Sequence, residues 1–300
     1  MQQLIVIEGP TASGKTALSV ALAKALNTVV LSADSRQFYK ELSIGTAKPT
    51  KEEMEGIPHY FIDSHPISEP VSAARYEAEA FDLIRGELAH YPQLILVGGS
   101  GMFIDALCLG LDPIPADLAV QDVLRNELEE KGLEPLLEEL KENDPEFYRQ
   151  VDKQNPVRIL RALEVIRLTG IPFSTWRKNE LPKRPFEVIR FVIDHPRDVL
   201  YERINLRVDQ MIEAGLIEEV KSVAEFRNYT ALQTVGYKEV FDYLDGTVDL
   251  ETCISKIKQH TRNYAKRQLT WFKRHPEANW LTAKPAKELR DEILQVIQKQ

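Results

Sequence analysis

The sequence is poor in cysteine and has neither a basic leader nor a long apolar run. Its two cysteines, Cys108 and Cys253, are too few for a disulfide framework or a cysteine-rich zinc site. Both lie among apolar neighbours, which predicts buried free thiols. The N-terminal MQQLIVIEGP is too short for a signal peptide, and no stretch approaches about 18 uncharged apolar residues. We therefore expect a cytoplasmic protein with no membrane contact.

Positive charge is also scarce overall, because 38 Lys and Arg face 46 Asp and Glu. The formal net charge of −8 argues against a general nucleic-acid or membrane binder. The charge is unevenly distributed, however. Nine acids and two lysines lie between residues 127 and 146, whereas residues 256–274 carry seven Lys or Arg and no acid. The net charge therefore describes neither of these surfaces.

Hydrophobic residues make up 43% of the whole chain. In its first third, short apolar runs alternate with amphipathic stretches. The runs are at residues 4–7, 28–32 and 94–97, and small, polar or acidic residues follow each of them. A helical pattern covers residues 15–26. Strands that alternate with helices predict a parallel sheet flanked by helices, with the ligand site beyond the carboxyl ends of the strands.

The pattern changes after DPIP at residues 112–115. The next stretch, to about residue 187, is helical in pattern without a clear strand, and LPKRP at 181–185 is typical of a linker. One more strand is predicted at 187–193, and only helices after it. We therefore expect a catalytic core made of 1–112 and 188–300, interrupted by an all-helical insertion domain at 113–187.

The first predicted turn matches the phosphate-binding pattern G-x-x-x-x-G-K-[ST] between a strand and a helix. Successive backbone N–H groups and the helix N-terminus would surround a di- or triphosphate. Lys15 would place an ammonium against the outer phosphates, and the Thr16 hydroxyl would ligate Mg²⁺. The predicted fold class is therefore α/β, P-loop NTPase-like. The residues of this cradle are Gly9, Pro10, Thr11, Ala12, Ser13, Gly14, Lys15 and Thr16.

The loop by itself leaves the chemistry open. The run at 94–97 ends in Gly-Gly-Ser rather than in the Asp that a P-loop ATPase or GTPase supplies for Mg²⁺. Asp34, after the second strand, is the one acid placed to face the cradle. It would take a proton from an acceptor hydroxyl, as in a small-molecule kinase, or equally from an amine, unless it only caps a helix.

Several further segments together resemble the tRNA dimethylallyltransferase (tRNA isopentenyltransferase) family. Besides GPTASGKT at 9–16, they are SADSRQFYKELSIGTAKP at 32–49, GGSGMFI at 98–104, NPVRILRALEV at 155–165, LYERINLRVDQMIEAGLIEEV at 200–220, QTVGYKE at 233–239 and YAKRQLTWFKR at 264–274. The resemblance implies transfer of a dimethylallyl group from dimethylallyl diphosphate to N6 of the adenosine 3′ to the anticodon. The zinc finger of eukaryotic relatives is absent from the sequence, which indicates the bacterial type.

The resemblance also implies roles for individual residues. The cradle, Lys15 and Mg²⁺ on Thr16 would stabilise the leaving diphosphate, with Arg207 reaching it as well. Asp34 would be the general base for the N6 proton. Ser100 stands where the family has Thr and keeps the hydroxyl that contacts the reacting centre.

The implied partner is the anticodon stem-loop of tRNA, bound by a monomer. The C-terminal basic and aromatic segment would neutralise phosphates and stack on bases, and the insertion domain would contact the stem through basic residues such as Arg158, Arg161, Lys183 and Arg184. The implied tRNA-binding residues are Asp34, Ser35, Arg36, Gln37, Asn155, Pro156, Val157, Arg158, Ile159, Gln233, Thr234, Val235, Gly236, Tyr237, Lys238, Lys266, Arg267, Gln268 and Trp271.

Three other functions are consistent with the phosphate loop. An adenylate isopentenyltransferase acting on free AMP, ADP or ATP would share the cradle and Asp34, but has little use for the basic segment at 256–274. A small-molecule P-loop kinase is usually shorter. A nucleotide-binding module without catalysis would leave Asp34 and Ser100 with no chemistry.

Overall fold

The computed structural model describes residues 1–176 and 183–299, which form two compact units. The first unit comprises Met1–Cys108 and Arg184–Gln300, and the second comprises Leu109–Lys183. The sequence placed the corresponding bounds at 113 and 187. Residues 181 and 182 of the expected linker lie outside the described residues.

A six-stranded parallel sheet forms the centre of the first unit, as the α/β prediction required. The strand order is β3-β2-β4-β1-β5-β6, and every neighbouring pair is parallel. Parallel strands need crossover connections, which the helices of this unit provide. The strands are β1 Gln2–Glu8, β2 Val30–Ser32, β3 His59–Tyr60, β4 Gln93–Gly98, β5 Phe186–Asp194 and β6 Asn279–Thr282.

The central strand β1 is buried on both faces, which explains its uninterrupted apolar sequence. Leu4 and Val6 belong to the hydrophobic core on one side of the sheet, and Ile5 and Ile7 belong to the core on the other. Because side chains alternate along a strand, four consecutive apolar residues serve two separate cores. Both cysteines are buried and free, as predicted.

The helices of the first unit cover the sheet and carry part of the site. They precede and follow the second unit along the chain. They are α1 Lys15–Leu26, α2 Lys51–Met54, α3 Ala73–Arg85, α4 Gly101–Leu109, α10 Arg197–Glu213, α11 Leu216–Ser222, α12 Tyr237–Leu244, α13 Leu250–Phe272 and α14 Ala286–Ile297, with a 3₁₀ turn at Ala224–Phe226.

The described residues of the second unit are helical, with their own hydrophobic core around Leu124, Leu140 and Leu163. The buried Asp144 carboxylate caps the helix that follows it and accepts from Ser174 N–H at 2.7 Å. The acidic stretch at 127–146 falls largely on the solvated faces of two of the helices. The helices are α5 Leu118–Lys131, α6 Glu134–Asn143, α7 Pro145–Gln150, α8 Pro156–Thr169 and α9 Phe173–Trp176.

The sequence did not predict two short strands. The expectation of helices alone after residue 193 was wrong, because Asn279–Thr282 adds an edge strand to β5. His59–Tyr60 extends the opposite edge. Strands of two and four residues at the edges of a sheet leave too few positions for a detectable alternation. In the described part of the chain, no helix has the length and apolarity needed to cross a membrane.

Candidate active site

The phosphate loop follows β1 and turns directly into α1. Gly14, just before the helix, has φ of 91°, and Ala12 has φ of 64°. Both values lie in the left-handed region, which glycine adopts freely and alanine only at some cost in energy. The Ser13 hydroxyl is buried in the loop without a hydrogen-bond partner among the described residues. A curled backbone with an unpaired buried hydroxyl is suited to receiving anionic oxygens.

Lys15 bends back over the loop that precedes it. Its Nζ donates to the carbonyl oxygens of Gly9 at 2.9 Å and Pro10 at 2.8 Å. Burial lowers the pKa of Lys15 to about 8, although the negative charge of Asp34 opposes this shift; the positive charge of Arg207 adds to it. The ammonium is therefore held only by neutral backbone carbonyls. An anionic ligand at this position would stabilise its positive charge more than the carbonyls do.

Three side chains from the C-terminal half of the chain hold the phosphate loop in place. Gln268 Oε1 accepts from Thr11 N–H at 2.9 Å. Arg203 Nε donates to Ala12 C=O at 2.8 Å, and His195 Nε2 lies 3.0 Å from Ser13 C=O. Fixing two successive carbonyls away from the centre leaves the N–H groups of the loop free to face a ligand.

Asp34 lies in the turn that follows β2, next to the phosphate loop. Its Oδ1 accepts from Arg36 N–H at 3.1 Å, which closes a local turn, and no helix begins there. Burial raises the pKa of Asp34, while this backbone hydrogen bond and the charge of Lys15 act in the opposite direction. A half-buried carboxylate that lines a cavity beside an ammonium has the environment of a general base.

The glycine-rich turn after β4 brings Ser100 to the Asp34 turn. Ser100 Oγ accepts from Ser35 N–H and donates to Ser35 Oγ, both at 3.1 Å. Gly98 lies against Ala33 so closely that a Cβ would overlap its carbonyl. A larger residue at 98 would therefore force the two strand ends apart.

These turns line one cavity of about 700 Å³ at the carboxyl ends of the strands. The phosphate loop, Asp34 and Arg207 supply its polar wall. Its apolar wall comes from the loops after β2 and β3, from β4, from α10 and α13, and from the turn before α12. The apolar residues are Ile44, Ile62, Val97, Ile204, Val208, Met211, Val235 and Ile257. The cavity thus combines an anion site with room for a hydrocarbon group.

Arg207 and Tyr264 bring further polar groups to this cavity. Burial lowers the pKa of Arg207, with a further lowering from the adjacent Arg203. Tyr264 of α13 is half-buried beside Asp34 and Ser100, and its desolvation raises its pKa to about 12. The sequence did not predict a role for Tyr264 in the site. Tyr264 lies four residues before Gln268 and seven before Trp271, and this helical spacing was the one signal in the sequence that the three share a face.

A carboxylate holds the loop that forms another wall of the cavity. Glu219 of α11 accepts from the backbone N–H groups of Ser43, Ile44 and Gly45 at 2.9, 2.7 and 2.9 Å. It also accepts from the Tyr237 hydroxyl at 2.7 Å. The sequence reading missed Glu219, because nothing in a helical glutamate indicates that it binds a loop 175 residues away.

Tyr237 itself is fully buried, and its ring lies against Gly45, where a Cβ would overlap it. The expected RNA contact of residues 233–238 therefore does not extend to the Tyr237 side chain. Thr234 and Val235 line the cavity, while Gln233 and Lys238 are exposed.

The C-terminal basic segment forms most of α13. Lys266 and Arg267 are exposed, as expected of RNA contacts. Lys258 and Arg262 are instead engaged by α10, through Asp209 at 2.6 Å and Asn205 at 2.6 Å. Part of the positive charge is thus already neutralised or bonded within the protein.

Two other predicted RNA contacts in α13 are directed inward. Trp271 Nε1 donates to Asp105 at 2.7 Å, and its ring occupies the space beside Gly101 where a Cβ would lie. Gln268 is buried and bonded at both ends. The Trp271 side chain thus contacts α4, and the Gln268 side chain joins the phosphate loop to the turn after β4, so neither is directed outward as an RNA contact would be.

The segment 155–159 of the second unit also contains both exposed and buried side chains. Asn155 caps α8, and Val157 and Arg158 are exposed. Ile159 belongs to the core of its unit, so its side chain is not available to RNA. Arg161 is occupied by Glu164 at 2.6 Å and by two backbone carbonyls of its own unit.

Arg184, another predicted stem contact, belongs to the first unit. It pairs with Glu77, donates to Ala106 C=O at 2.7 Å and stacks on Phe81. These contacts leave little of its guanidinium for RNA.

Comparison with known proteins identifies the family of this chain. Residues 37–275 match the family model of the IPP transferases. The chain belongs to the IPP transferase family. It is 49% identical over 278 residues to a tRNA dimethylallyltransferase of Cytophaga hutchinsonii, covering 92% of this chain and 91% of that protein. A tRNA dimethylallyltransferase 1 of Bacteroides thetaiotaomicron is 45% identical, over 93% and 91% of the two chains.

Solved structures agree with this family. The chain resembles the tRNA isopentenylpyrophosphate transferase of Bacillus halodurans with a TM-score of 0.73 and 38% identity, over 100% of this chain and 98% of that one. A eukaryotic dimethylallyltransferase acting on tRNA gives a TM-score of 0.81 at 28% identity, over 99% and 78%. The P-loop NTPase-like fold of this IPP transferase is therefore confirmed.

The oxygen donors at the cavity fit a magnesium ion that is coordinated mainly by phosphate oxygens and water. Among the described residues, no cluster of three His, Cys, Asp or Glu side chains could hold a metal. Mg²⁺ at phosphate sites typically takes one or two protein oxygens and fills its octahedron with phosphate oxygens and water. The Thr16 hydroxyl, at the first turn of α1 and lining the cavity, is a suitable protein donor.

Proposed function

We propose that this protein transfers a dimethylallyl group from dimethylallyl diphosphate to N6 of the adenosine 3′ to the anticodon of tRNA, releasing diphosphate. The observation that carries the proposal is one cavity whose lining combines the phosphate loop, Asp34 and a set of apolar side chains. The names of the relatives support the same reaction.

The leaving group occupies the phosphate loop. Its N–H groups, Lys15 and Arg207 take up the negative charge that develops as the bond between carbon and the bridging oxygen breaks. Mg²⁺ on Thr16, when bound, supplies additional charge neutralisation to the diphosphate. The apolar wall receives the five-carbon chain.

The acceptor side is formed by Asp34 and its neighbours. The exocyclic amine is a weak nucleophile, because its lone pair is delocalised into the ring. Asp34 accepts the N6 proton as the new C–N bond forms, and the Ser100 and Tyr264 hydroxyls hold the amine and the turn in register. The adenine leaves its stack in the anticodon loop to reach this position.

The RNA lies against exposed groups at the mouth of the site. Lys266, Arg267 and Lys238 contact backbone phosphates, and Ser35, Arg36 and Gln37 contact the loop near the reacting base. In the helical unit, Asn155, Pro156, Val157 and Arg158 contact the anticodon arm. The enzyme acts as a monomer in the cytoplasm, where its tRNA substrate is found.

Free adenine nucleotides are the competing acceptors, as in an adenylate isopentenyltransferase. The exposed cations of α13 favour tRNA, because a mononucleotide would leave Lys266 and Arg267 without a role. A small-molecule kinase is disfavoured by the relatives, which are tRNA-modifying transferases by name.

A direct test uses unmodified tRNA with A at the target position, labelled dimethylallyl diphosphate and Mg²⁺. We expect label in the tRNA and release of diphosphate. Label in AMP, with none in tRNA, would overturn the proposal in favour of the adenylate enzyme.

Asp34→Ala tests the general base in the same assay. We expect kcat to fall roughly 10²- to 10⁴-fold, the usual contribution of a positioned base, while dimethylallyl diphosphate still binds. Asp34→Asn is the control for local disruption of the turn, because its amide oxygen can still accept from Arg36 N–H while the base is lost, so kcat should fall as in Asp34→Ala. Loss of diphosphate binding in Asp34→Ala would instead assign Asp34 to the metal site.

A further inference from the structure

Gln268 is a polar side chain buried between two loops of the active site. It lies on α13 and is 5% exposed. Its Oε1 accepts from Thr11 N–H at 2.9 Å, and its Nε2 donates to Gly99 C=O at 2.8 Å. Each end of one amide is therefore bonded to the backbone of a different loop.

The chemistry of this position calls for an amide. Thr11 offers a donor and Gly99 offers an acceptor, so the bridging side chain must accept at one atom and donate at the next. A neutral amide does both without burying a charge. Gly99 allows the close approach, because a Cβ there would overlap Gln268 Nε2.

The two bonded loops carry opposite halves of the proposed reaction. Thr11 belongs to the loop that holds the leaving diphosphate. Gly99 immediately precedes Ser100, which bonds to Ser35 next to Asp34 at 3.1 Å. A continuous bonded path thus leads from the leaving-group site to the base. An error of about 1 Å in such an arrangement can cost about 100-fold in rate.

We propose that Gln268 is a positioning residue that sets the distance between the phosphate loop and the Ser100 turn, and that it does not bind RNA. The inference rests on the proposed function, because it assigns the two loops to the leaving group and the base. It also makes α13 both a wall of the active site and the carrier of the exposed cations Lys266 and Arg267.

Gln268→Glu separates this role from RNA binding. The ionised carboxylate would lose the hydrogen bond to Gly99, whereas the protonated acid would accept from Thr11 and donate to Gly99 again. Burial raises the pKa of such a carboxyl. We expect kcat to fall roughly 10- to 100-fold at alkaline pH, and the ratio to wild type to recover as pH falls. The KM for tRNA should stay unchanged.

Gln259→Glu is the matched control, because it makes the same change at an exposed position of the same helix. We expect activity near that of wild type at every pH. Gln268→Met keeps the length of the side chain but makes neither bond, so its loss of kcat should not depend on pH. Melting temperatures establish that each variant is folded under the assay conditions.

Three results would overturn the inference. A raised KM for tRNA with unchanged kcat would make Gln268 an RNA contact. Equal, pH-independent losses in Gln268→Glu and Gln268→Met would assign it to packing alone. If the wild-type protein modifies no tRNA, the proposed function fails separately. Binding of inorganic diphosphate then tests the inference. We expect Gln268→Met to weaken diphosphate binding several-fold, and an unchanged Kd would contradict a role for Gln268 in positioning the phosphate loop.

Discussion

Lys15 combines burial with two opposing electrostatic neighbours. Asp34 favours its charged form, and Arg207 disfavours it. Because burial outweighs the attraction, the free protein holds a lysine whose pKa is near physiological pH. A bound diphosphate would supply the missing negative charge, so proton uptake and ligand binding are coupled at this residue.

The pH dependence of ligand binding follows from this coupling. The ammonium, which is the binding form, predominates below the Lys15 pKa of about 8. Affinity for dimethylallyl diphosphate should therefore fall as pH rises above that value, by up to about tenfold per pH unit. Calorimetric titration from about pH 7 to about pH 9.5 measures this fall.

Lys15→Arg is the control, because its guanidinium stays charged over this range. It should show only the ionisation of the ligand itself. Identical pH profiles for the two proteins would contradict the assignment of the transition to Lys15.

The loop of residues 43–45 illustrates how one element depends on another. α11 contributes Glu219, whose carboxylate accepts three consecutive backbone N–H groups of the loop. Successive N–H groups form an anion-binding nest, and here the anion belongs to the protein. Ile44 and Gly45 line the cavity and the described residues of α11 do not, so α11 shapes the cavity through this loop.

Glu219→Gln should loosen this loop. An amide cannot accept as strongly from three donors, and its own NH₂ group would oppose one of them. We expect the free energy of unfolding to fall by about 1–3 kcal/mol and amide exchange at Ser43–Gly45 to accelerate. Urea denaturation and hydrogen exchange measure the two effects.

Glu218→Gln is the neighbouring control. Glu218 is exposed, and among the described residues its one salt bridge is with Lys221 on the surface. Such pairs contribute about 0–1 kcal/mol. Equal effects of the two substitutions, with no change in exchange at 43–45, would argue against the clamp.

At the scale of the whole molecule, a buried charge network ties the first strand to the C-terminal half of the fold. Arg190 of β5 donates to Glu8 at 2.9 Å and to Asp105 at 2.8 Å. Asp105 also accepts from Trp271 at 2.7 Å. Segments far apart in the chain thus meet at Glu8, the last residue of β1 before the phosphate loop.

Arg190→Met should be strongly destabilising. It leaves Glu8, which is fully buried, without its counter-charge. Breaking such a pair costs roughly 3–5 kcal/mol, measurable by urea denaturation. Arg75→Met removes an exposed pair with Glu69 and Glu79 and should cost no more than about 1 kcal/mol. Comparable losses for both variants would contradict the network.

Much of this architecture could be predicted from local patterns. The apolar run of β1, the phosphate loop and α1 were identified because the signals for strand, glycine turn and helix are contiguous. The edge strands β3 and β6 were missed, because pairing with a neighbour, rather than their own residues, makes them strands. The linker residues 181 and 182 fall outside the described part of the chain.

The sequence alone determined the phosphate site, the acid that follows the second strand and the basic C-terminal helix, since each is a local feature, and its motifs determined the family. Only the tertiary structure decided which side chains point into the protein and which face solvent. Gln268, Trp271 and Tyr237 face inward and Lys266 faces solvent, although all four lie in motifs that suggest RNA contact. The reason is physical: the direction of a side chain on a helix depends on what packs against that helix, and those partners are distant in the chain.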